Sequence, residues 1–293
     1  MLVKSKKKYS VHVDCDNSWV YENELGIKSN NDQNYIYDIA LRRLLDLFNH
    51  YEIKATFFII GKDLTLNSCI QFCKEALAQG HLIGNHSLSH PQNFGKLNYR
   101  ERKLEIIDGH NQIYEKLNYQ CKSFRAPGYG VQDKDLLLLS ELGYIYDSST
   151  LPGYTTLIIK LLTLHSKDYR KKSLNVWQNF LATTKTTKYQ LINGLSIWRV
   201  PVGVMPVLRL PIHTSFLFLF GVLYFEIVKF FLKFSKNPTV ILFHGLDLCD
   251  QATASKKSII PAFNTPYQKR FEICNILLKH IKNKTLHLEE ILN

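Results

Sequence analysis

The stretch YSVHVDCD, residues 9–16, is a short run that ends in two carboxylates one residue apart. Its alternation of apolar and polar residues predicts a β-strand. Residues i and i+2 of a strand point the same way, so Asp14 and Asp16 are expected to face one cavity together. The sequence thus places two acidic groups at the carboxyl end of the first strand.

Beyond this stretch, strand-like and helix-like segments alternate along nearly the whole chain. Further strands are predicted to begin near Ile53, His81, Lys122, Tyr144, Leu195 and Pro238, with helices between them. Regular alternation implies right-handed crossovers and a parallel sheet. About seven strands in 293 residues predict an α/β fold, a distorted parallel (β/α) barrel. We expect residues 1–293 to form a single barrel domain with an insertion at about 148–197.

Reactive side chains follow the predicted strands. Metal-binding and acid/base residue types stand at the carboxyl ends of five of them: Asp14, Asp16, His86, Arg125, Asp147 and His244. The active site of a parallel barrel is built at that rim, because the βα loops converge there. We therefore expect these six side chains to lie together.

The segment HSLSH, residues 86–90, carries two histidines four residues apart. On a helix this spacing is typical of zinc proteases, but Ser87 stands where that motif needs a glutamate base. Pro91 also disfavours a helical His90, so a turn is predicted. Together with one carboxylate of the pair Asp14 and Asp16, the two imidazoles form a ligand set that leaves positions open for water and substrate. Zinc is the usual occupant of such a site.

These motifs resemble the polysaccharide deacetylase family, the metal-dependent carbohydrate de-N-acetylases with a distorted barrel of seven or eight strands. VDCDN resembles the first family motif, which implies that Asp14 is the catalytic base and Asp16 a metal ligand. HSLSH is similar to the family pattern HSxxH, which assigns His86 and His90 to the metal.

Three later segments extend the resemblance. RAPG resembles the third motif, in which Arg125 orients the base; its fourth position is usually tyrosine, whereas here Gly128 is followed by Tyr129. We regard both as candidates for the substrate and oxyanion site. YDSS, with Asp147, is a looser match to the fourth motif, and ILFHG places His244 as the catalytic acid of the fifth.

The chemistry follows from these residue types. A bound divalent metal activates a water and polarises an acyl carbonyl. Asp14 removes a proton, His244 donates one to the departing amine, and Arg125 keeps the base ionised. We therefore predict a hydrolase that removes an N-acetyl or N-formyl group from an amino sugar, in a glycan or a lipid-linked glycan. His213 is a further candidate for contact with the substrate.

Charge and patterning bear on location. The formal charge is +12, from 37 basic and 25 acidic residues, and favours anionic partners. The first residues pass from a basic run directly into a strand, so a cytoplasmic location is expected. Glu226 and Lys229 interrupt the apolar window from Phe216 before it reaches about 20 residues, which predicts a buried or interfacial helix rather than a spanning one.

The predicted insertion contains an apolar run followed by four cations: Lys167, Arg170, Lys171 and Lys172. One interpretation is a solvated basic face on a packing helix. The other is an element that rests on anionic lipid at the inner membrane face and brings a polyprenyl-phosphate-linked glycan to the metal.

Two other functions remain open. A cytosolic amidohydrolase of the same fold would act on a small cyclic amide or ureide, and a small, closed site would favour it. A nucleic-acid binder is suggested by the charge, but the basic residues are dispersed and carry no recognised binding motif. No nucleic-acid partner is therefore expected.

Overall fold

The computed structural model describes residues 9–25, 32–154, 182–235, 238–250 and 261–292. The four cations of the predicted insertion, between Lys167 and Lys172, lie outside the described residues. Their expected contact with lipid stays a prediction.

The described strands form one mostly parallel sheet. They are β1 (Tyr9–Asp14), β2 (Ala55–Ile59), β3 (Leu82–Asn85), β4 (Ser123–Phe124), β5 (Tyr146–Asp147), β6 (Thr187–Gln190), β7 (Ser196–Arg199) and β8 (Thr239–His244). Their order is β6-β7-β5-β4-β3-β2-β1-β8. The expected α/β fold with a parallel barrel-type sheet is confirmed.

The eighth strand comes from the predicted insertion. β6 pairs antiparallel with β7, from Thr187 opposite Arg199 to Gln190 opposite Ser196. The turn between them contains Gly194 at φ 80°, a backbone conformation that glycine adopts without strain. The count of about seven strands missed β6 because its side chains are largely exposed and it carries no buried apolar run.

Helices connect most of the strands. They are α1 (Ser18–Leu25), α2 (Leu41–His50), α3 (Asn67–Ala78), α4 (Tyr99–Leu117), α5 (Asp133–Glu141), α6 (Thr214–Leu232), α7 (Pro261–Asn264), α8 (Tyr267–Ile281) and α9 (Glu289–Leu292). α4 begins with a capping box, in which Asn98 accepts from the backbone N–H of Glu101 and the Glu101 carboxylate accepts from that of Asn98.

The chain divides into two compact units. The first comprises Met1–Phe57, Thr65–Leu82 and Ile212–His287, and the second Phe58–Leu64, Ile83–Pro211 and Leu288–Asn293. The expectation of a single barrel domain over residues 1–293 stays a prediction.

In the first unit, β1 and β8 pair in parallel from Tyr9 opposite Thr239 to Asp14 opposite His244. Both strands are almost completely buried. Phe48 of α2 packs edge-on against Phe243, with ring centroids 5.4 Å apart. Burial of each such side chain contributes about 1.5–3 kcal/mol, so this packing stabilises β8 against α2.

In the second unit, the parallel strands are in register at their carboxyl ends. Asn85 stands opposite Phe124, Phe124 opposite Asp147, and Asp147 opposite Arg199. This register brings the last residues of β3, β4, β5 and β7 to one edge of the sheet.

α6 is long and apolar enough to cross a membrane by length and composition, with a mean hydropathy of 1.9 over its best window. A core helix of a soluble protein passes the same test. Its backbone is interrupted at Gly221, where φ is 71° and ψ is −163°.

Candidate active site

The HSLSH segment leaves β3 as a turn. Ser87 and His90 both have positive φ, 65° and 54°, so the segment is not helical and the predicted turn is confirmed. The backbone N–H of His90 donates to the Ser87 hydroxyl at 3.1 Å, and both histidines are buried. Their ring centroids lie 4.8 Å apart.

The tautomer of His86 is fixed by its backbone partner. Its Nδ1 lies 2.7 Å from the carbonyl oxygen of Arg125. Because a carbonyl only accepts hydrogen bonds, the proton is on Nδ1 and the lone pair is on Nε2. This is the arrangement that orients a metal-ligating histidine.

Asp16, His86 and His90 each offer one ligand atom, and these three atoms all lie within 4.8 Å of one another. Asp16 lies two residues beyond the end of β1. The expectation that it faces one cavity with Asp14 stays a prediction. The hydroxyl of Tyr21 donates to the Asp16 carboxylate at 3.4 Å.

Asp14 and His244 are the last residues of two paired strands. They stand opposite each other in the β1–β8 register. Their predicted positions at the carboxyl ends of two strands are therefore confirmed. The buried ring of His213 lies 5.8 Å from that of His244. Burial first, and the charge of His244 second, lower the pKa of His213 to about 3, so its imidazole is neutral near neutral pH. Its contact with substrate stays a prediction.

Asp247 was missed in the sequence, where it reads as an ordinary turn residue. Its Oδ2 accepts from the backbone N–H of His244 at 2.9 Å and from the Thr214 hydroxyl at 2.5 Å. Burial raises the pKa of Asp247, while the charge of His244 opposes the rise. By this hydrogen bond Asp247 fixes the position of the His244 backbone, from which the imidazole extends.

Tyr21 was also missed, because nothing in its local pattern separates it from a packing residue of α1. Burial raises its pKa well above the ordinary value, and the charges of Asp16, Asp247 and Asp14 raise it further. The phenol therefore stays protonated and acts as a hydrogen-bond donor to Asp16.

Arg125 directly follows β4 and is completely buried. Its Nε donates to the backbone oxygen of Ser148 at 3.0 Å and its Nη2 to the Ser148 hydroxyl at 2.8 Å. The guanidinium lies over the ring of Phe58, 4.4 Å from the centroid. These contacts fix its direction; its role in orienting Asp14 stays a prediction.

Asp147, the last residue of β5, is likewise buried. Its Oδ1 accepts from the backbone N–H of Ser149 at 3.1 Å and from the Ser149 hydroxyl. Arg199 places Nε 3.8 Å from Oδ2, a contact that the sequence did not suggest because the two residues are far apart in the chain. Burial raises the pKa of Asp147, and Arg199 opposes the rise.

Gly128 departs from the family pattern for a local reason. It has φ 63°, and a Cβ at this position would lie 2.2 Å from the backbone oxygen of Gln92. A tyrosine does not fit there without a shift of that backbone. Tyr129 follows at φ 58° and lines a cavity of about 360 Å³ with Ser149, Thr150 and Arg199. The oxyanion roles of Gly128 and Tyr129 stay predictions.

Comparison with known proteins supports the resemblance drawn from these motifs. Residues 32–146 match the family model described as polysaccharide deacetylase. This part of the chain is similar to polysaccharide deacetylases. A peptidoglycan-N-acetylglucosamine deacetylase of Bacillus cereus is 36% identical over 104 residues, which are 35% of this chain and 46% of the relative. A chitooligosaccharide deacetylase of Sinorhizobium fredii is 29% identical over 101 residues, 33% of this chain and 44% of the relative.

The chain thus spans less than half the length of these curated relatives. Among solved structures, a candidate polysaccharide deacetylase of Mycobacterium smegmatis is similar with a TM-score of 0.63 at 14% identity, covering 99% of this chain and 90% of that one. The allantoinase PuuE gives 0.63 at 10% identity, covering 100% and 91%. At such identities these similarities show the fold alone.

Proposed function

We propose that the protein is a metal-dependent hydrolase that removes an N-acyl group, acetyl or formyl, from an amino sugar. The observation that carries this proposal is the approach of one ligand atom each from Asp16, His86 and His90 to within 4.8 Å of one another. Two of the similar curated proteins are named as deacetylases, one of peptidoglycan N-acetylglucosamine and one of chitooligosaccharides. This favours a carbohydrate amide as the substrate.

The residues fit a divalent metal. One carboxylate oxygen and two imidazole nitrogens are a common ligand set for zinc, and three protein ligands leave a position open for chemistry. The lone pair of His86 is on Nε2, because its Nδ1 is held by the Arg125 carbonyl. We propose zinc as the occupant. When bound, it supplies Lewis-acid polarisation of the acyl carbonyl and activation of water.

The remaining steps belong to side chains of the chain itself. Asp14 accepts the proton of the attacking water, and His244 donates a proton to the nitrogen of the departing amine. Asp247 accepts from the backbone N–H of His244 and holds the position of that residue. His213 is neutral near neutral pH, so it places no positive charge beside the His244 ring. The products are the free amino sugar and a carboxylate.

We propose a lipid-linked glycan as the finer substrate class, with the protein in the cytoplasm and peripheral on an anionic membrane face. The formal charge of +12 supports an anionic partner. A polyprenyl-phosphate carrier and an anionic lipid surface both meet that condition.

The direct test is release of the acyl group by the purified full chain. Substrates are N-acetylglucosamine oligomers, their N-formyl counterparts and a cyclic ureide, with released acetate, formate or ureide product quantified. We expect acyl release from the amino sugars and none from the ureide, and we expect His86→Ala to abolish it. His50→Ala, which changes an exposed histidine of α2, is the matched control. Turnover of the ureide alone would replace this proposal with the amidohydrolase.

A further inference from the structure

α6 is strongly apolar, but only part of it is covered within the portion of the chain that the structure describes. Its best window has a mean hydropathy of 1.9, yet 39% of that window is buried. A helix that is hydrophobic all round is ordinarily enclosed by protein or by lipid. The uncovered part of α6 therefore needs a partner of its own.

One side of α6 belongs to the core of the first unit. Leu217, Phe225, Val228 and Leu232 are 0–4% exposed, and the helix packs on β8, α7 and α8. To cross a bilayer, the helix would have to expose this packed side. A position on a surface keeps that packing, whereas a spanning one does not.

The other side is an apolar face that we define by six exposed residues: Leu219, Phe220, Leu223, Ile227, Phe230 and Phe234. They are 41–74% exposed. Leu219 and Phe220 precede the interruption at Gly221. After it, Leu223, Ile227 and Phe230 are spaced by four and three residues, which places them on one side of the helix, and Phe234 follows just beyond the helix end. Phe230 and Phe234 contact each other with ring centroids 5.5 Å apart. A continuous exposed patch of large apolar side chains is a mark of an interaction site.

Charge decides which partner fits this apolar face. Lys229 and exposed Lys233 lie along its edge, and Glu226, also at the edge, forms an ion pair with Lys229 at 2.5 Å. A second copy of the chain would bring a second formal charge of +12 to the surface. A bilayer with anionic headgroups offers both an apolar interior and the opposite charge.

We propose that the apolar face of α6 seats the protein on an anionic bilayer, with the helix axis in the plane of the interface. The aromatic and leucine side chains enter the headgroup and acyl boundary, and Lys229 and Lys233 contact the headgroups. This proposal rests on the proposed function, in which the protein is peripheral on an anionic membrane, and it names the element that makes the contact.

The position of the face bears on the substrate. α6 begins at Thr214, directly after His213, whose ring contacts that of His244. Leu219 lies about 8 Å further along the helix axis, at 1.5 Å per residue. A protein held by this face keeps the proposed acid, His244, close to the bilayer surface. That placement suits a glycan whose anchor stays in the membrane.

The experiment is flotation of the purified full chain with vesicles of phosphatidylcholine, with and without phosphatidylglycerol. We expect binding to the anionic vesicles that weakens with rising salt. The triple variant Phe220→Ser, Leu223→Ser, Phe230→Ser should lower vesicle partitioning by at least about tenfold. Lys229→Gln and Lys233→Gln should each lower it about fivefold.

The matched control changes three exposed apolar residues outside α6: Leu104→Ser, Tyr114→Ser and Ile192→Ser. It should bind as the unchanged chain does. Equal binding by the face variant, or no binding by the unchanged chain, overturns the proposal. A dimer that the face variant converts to monomer, without vesicle binding, assigns the face to a second copy instead.

Hydrolysis of a soluble N-acyl amino sugar is measured on the same preparations. The face variant should retain it, because none of the three residues belongs to the proposed catalytic groups. Loss of vesicle binding with retained hydrolysis supports the apolar face of α6 as the membrane contact. Absence of hydrolysis in the unchanged chain contradicts the proposed function and leaves the flotation result to stand by itself.

Discussion

Two clusters of polar residues, one in each unit, use buried aspartates in different ways. In the first unit, Asp247 accepts from the Thr214 hydroxyl and the His244 backbone, and His213 is held neutral. In the second unit, Asp147 faces the guanidinium of Arg199 and the hydroxyl of Ser149. The first cluster surrounds the imidazole of His244, whereas the second contains permanent guanidinium cations.

This difference indicates a division of labour. Permanent guanidinium charges do not exchange protons in proteins, so Arg125 and Arg199 serve to fix positions and to stabilise carboxylates. In the proposed function, proton transfer is assigned to Asp14 and His244. If the comparison holds, changes in the two clusters should have different signatures in rate, in pH dependence and in stability.

The largest effect is expected from the proton-transfer groups. Asp14→Asn and His244→Ala should each lower kcat by roughly a hundredfold or more, because a positioned acid or base contributes about that much. Metal content should be unchanged in both, as neither residue belongs to the ligand set. Steady-state kinetics and metal analysis provide the check. A near-normal rate removes the residue from the mechanism.

An intermediate effect is expected from acid. The folded pKa of His213 is about 3, below its ordinary value of 6.5, so the unfolded chain takes up the proton first. Stability is fully present above pH 6.5 and falls as the pH drops towards 3. At pH 5 this one group should cost about 2 kcal/mol.

Denaturant unfolding at pH 7 and pH 5 measures this loss. His213→Gln should reduce the acid-induced loss by about 2 kcal/mol, whereas His50→Gln, at an exposed site, should leave it unchanged. Identical acid losses in both variants would show that His213 is not held neutral by burial.

The smallest effect is expected from Arg199. Its side chain is 31% exposed and its Nε lies 3.8 Å from the Asp147 carboxylate, so Arg199→Gln should lower the free energy of unfolding by only about 1 kcal/mol. It should also raise the pKa of Asp147, because the opposing charge is removed. Arg42→Gln, in a surface pair with Glu75, is the control and should cost less. Equal losses would place Asp147 in a site as solvated as the surface.

The sequence predicted the positions that local pattern determines. Apolar runs end at Asp14, His86 and His244; in the structure Asp14 and His244 end their strands, and His86 directly follows one. The turn at His90 followed from Ser87 and Pro91. By contrast, Asp247, Arg199 and Tyr21 carry no local signal, because their roles arise from contacts made when distant segments fold together.

Two features required the folded chain. The need for glycine at position 128 comes from the Gln92 backbone, which lies far away in the sequence. The second feature is the exposure of α6. The sequence predicted that the Phe216 window is a buried or interfacial helix. It does not determine how much of the helix is covered, because coverage depends on which elements pack against it.

Metal titration tests the central claim most directly. The purified chain is freed of metal with a chelator, and zinc is returned in steps while bound metal and acyl release from N-acetylglucosamine oligomers are measured together. We expect activity to be lost with the metal and to return in proportion to it, saturating at one ion per chain, with neither binding nor activity in His86→Ala. Full activity in the metal-free chain, or stoichiometric tight binding by His86→Ala, would contradict a site built from Asp16, His86 and His90.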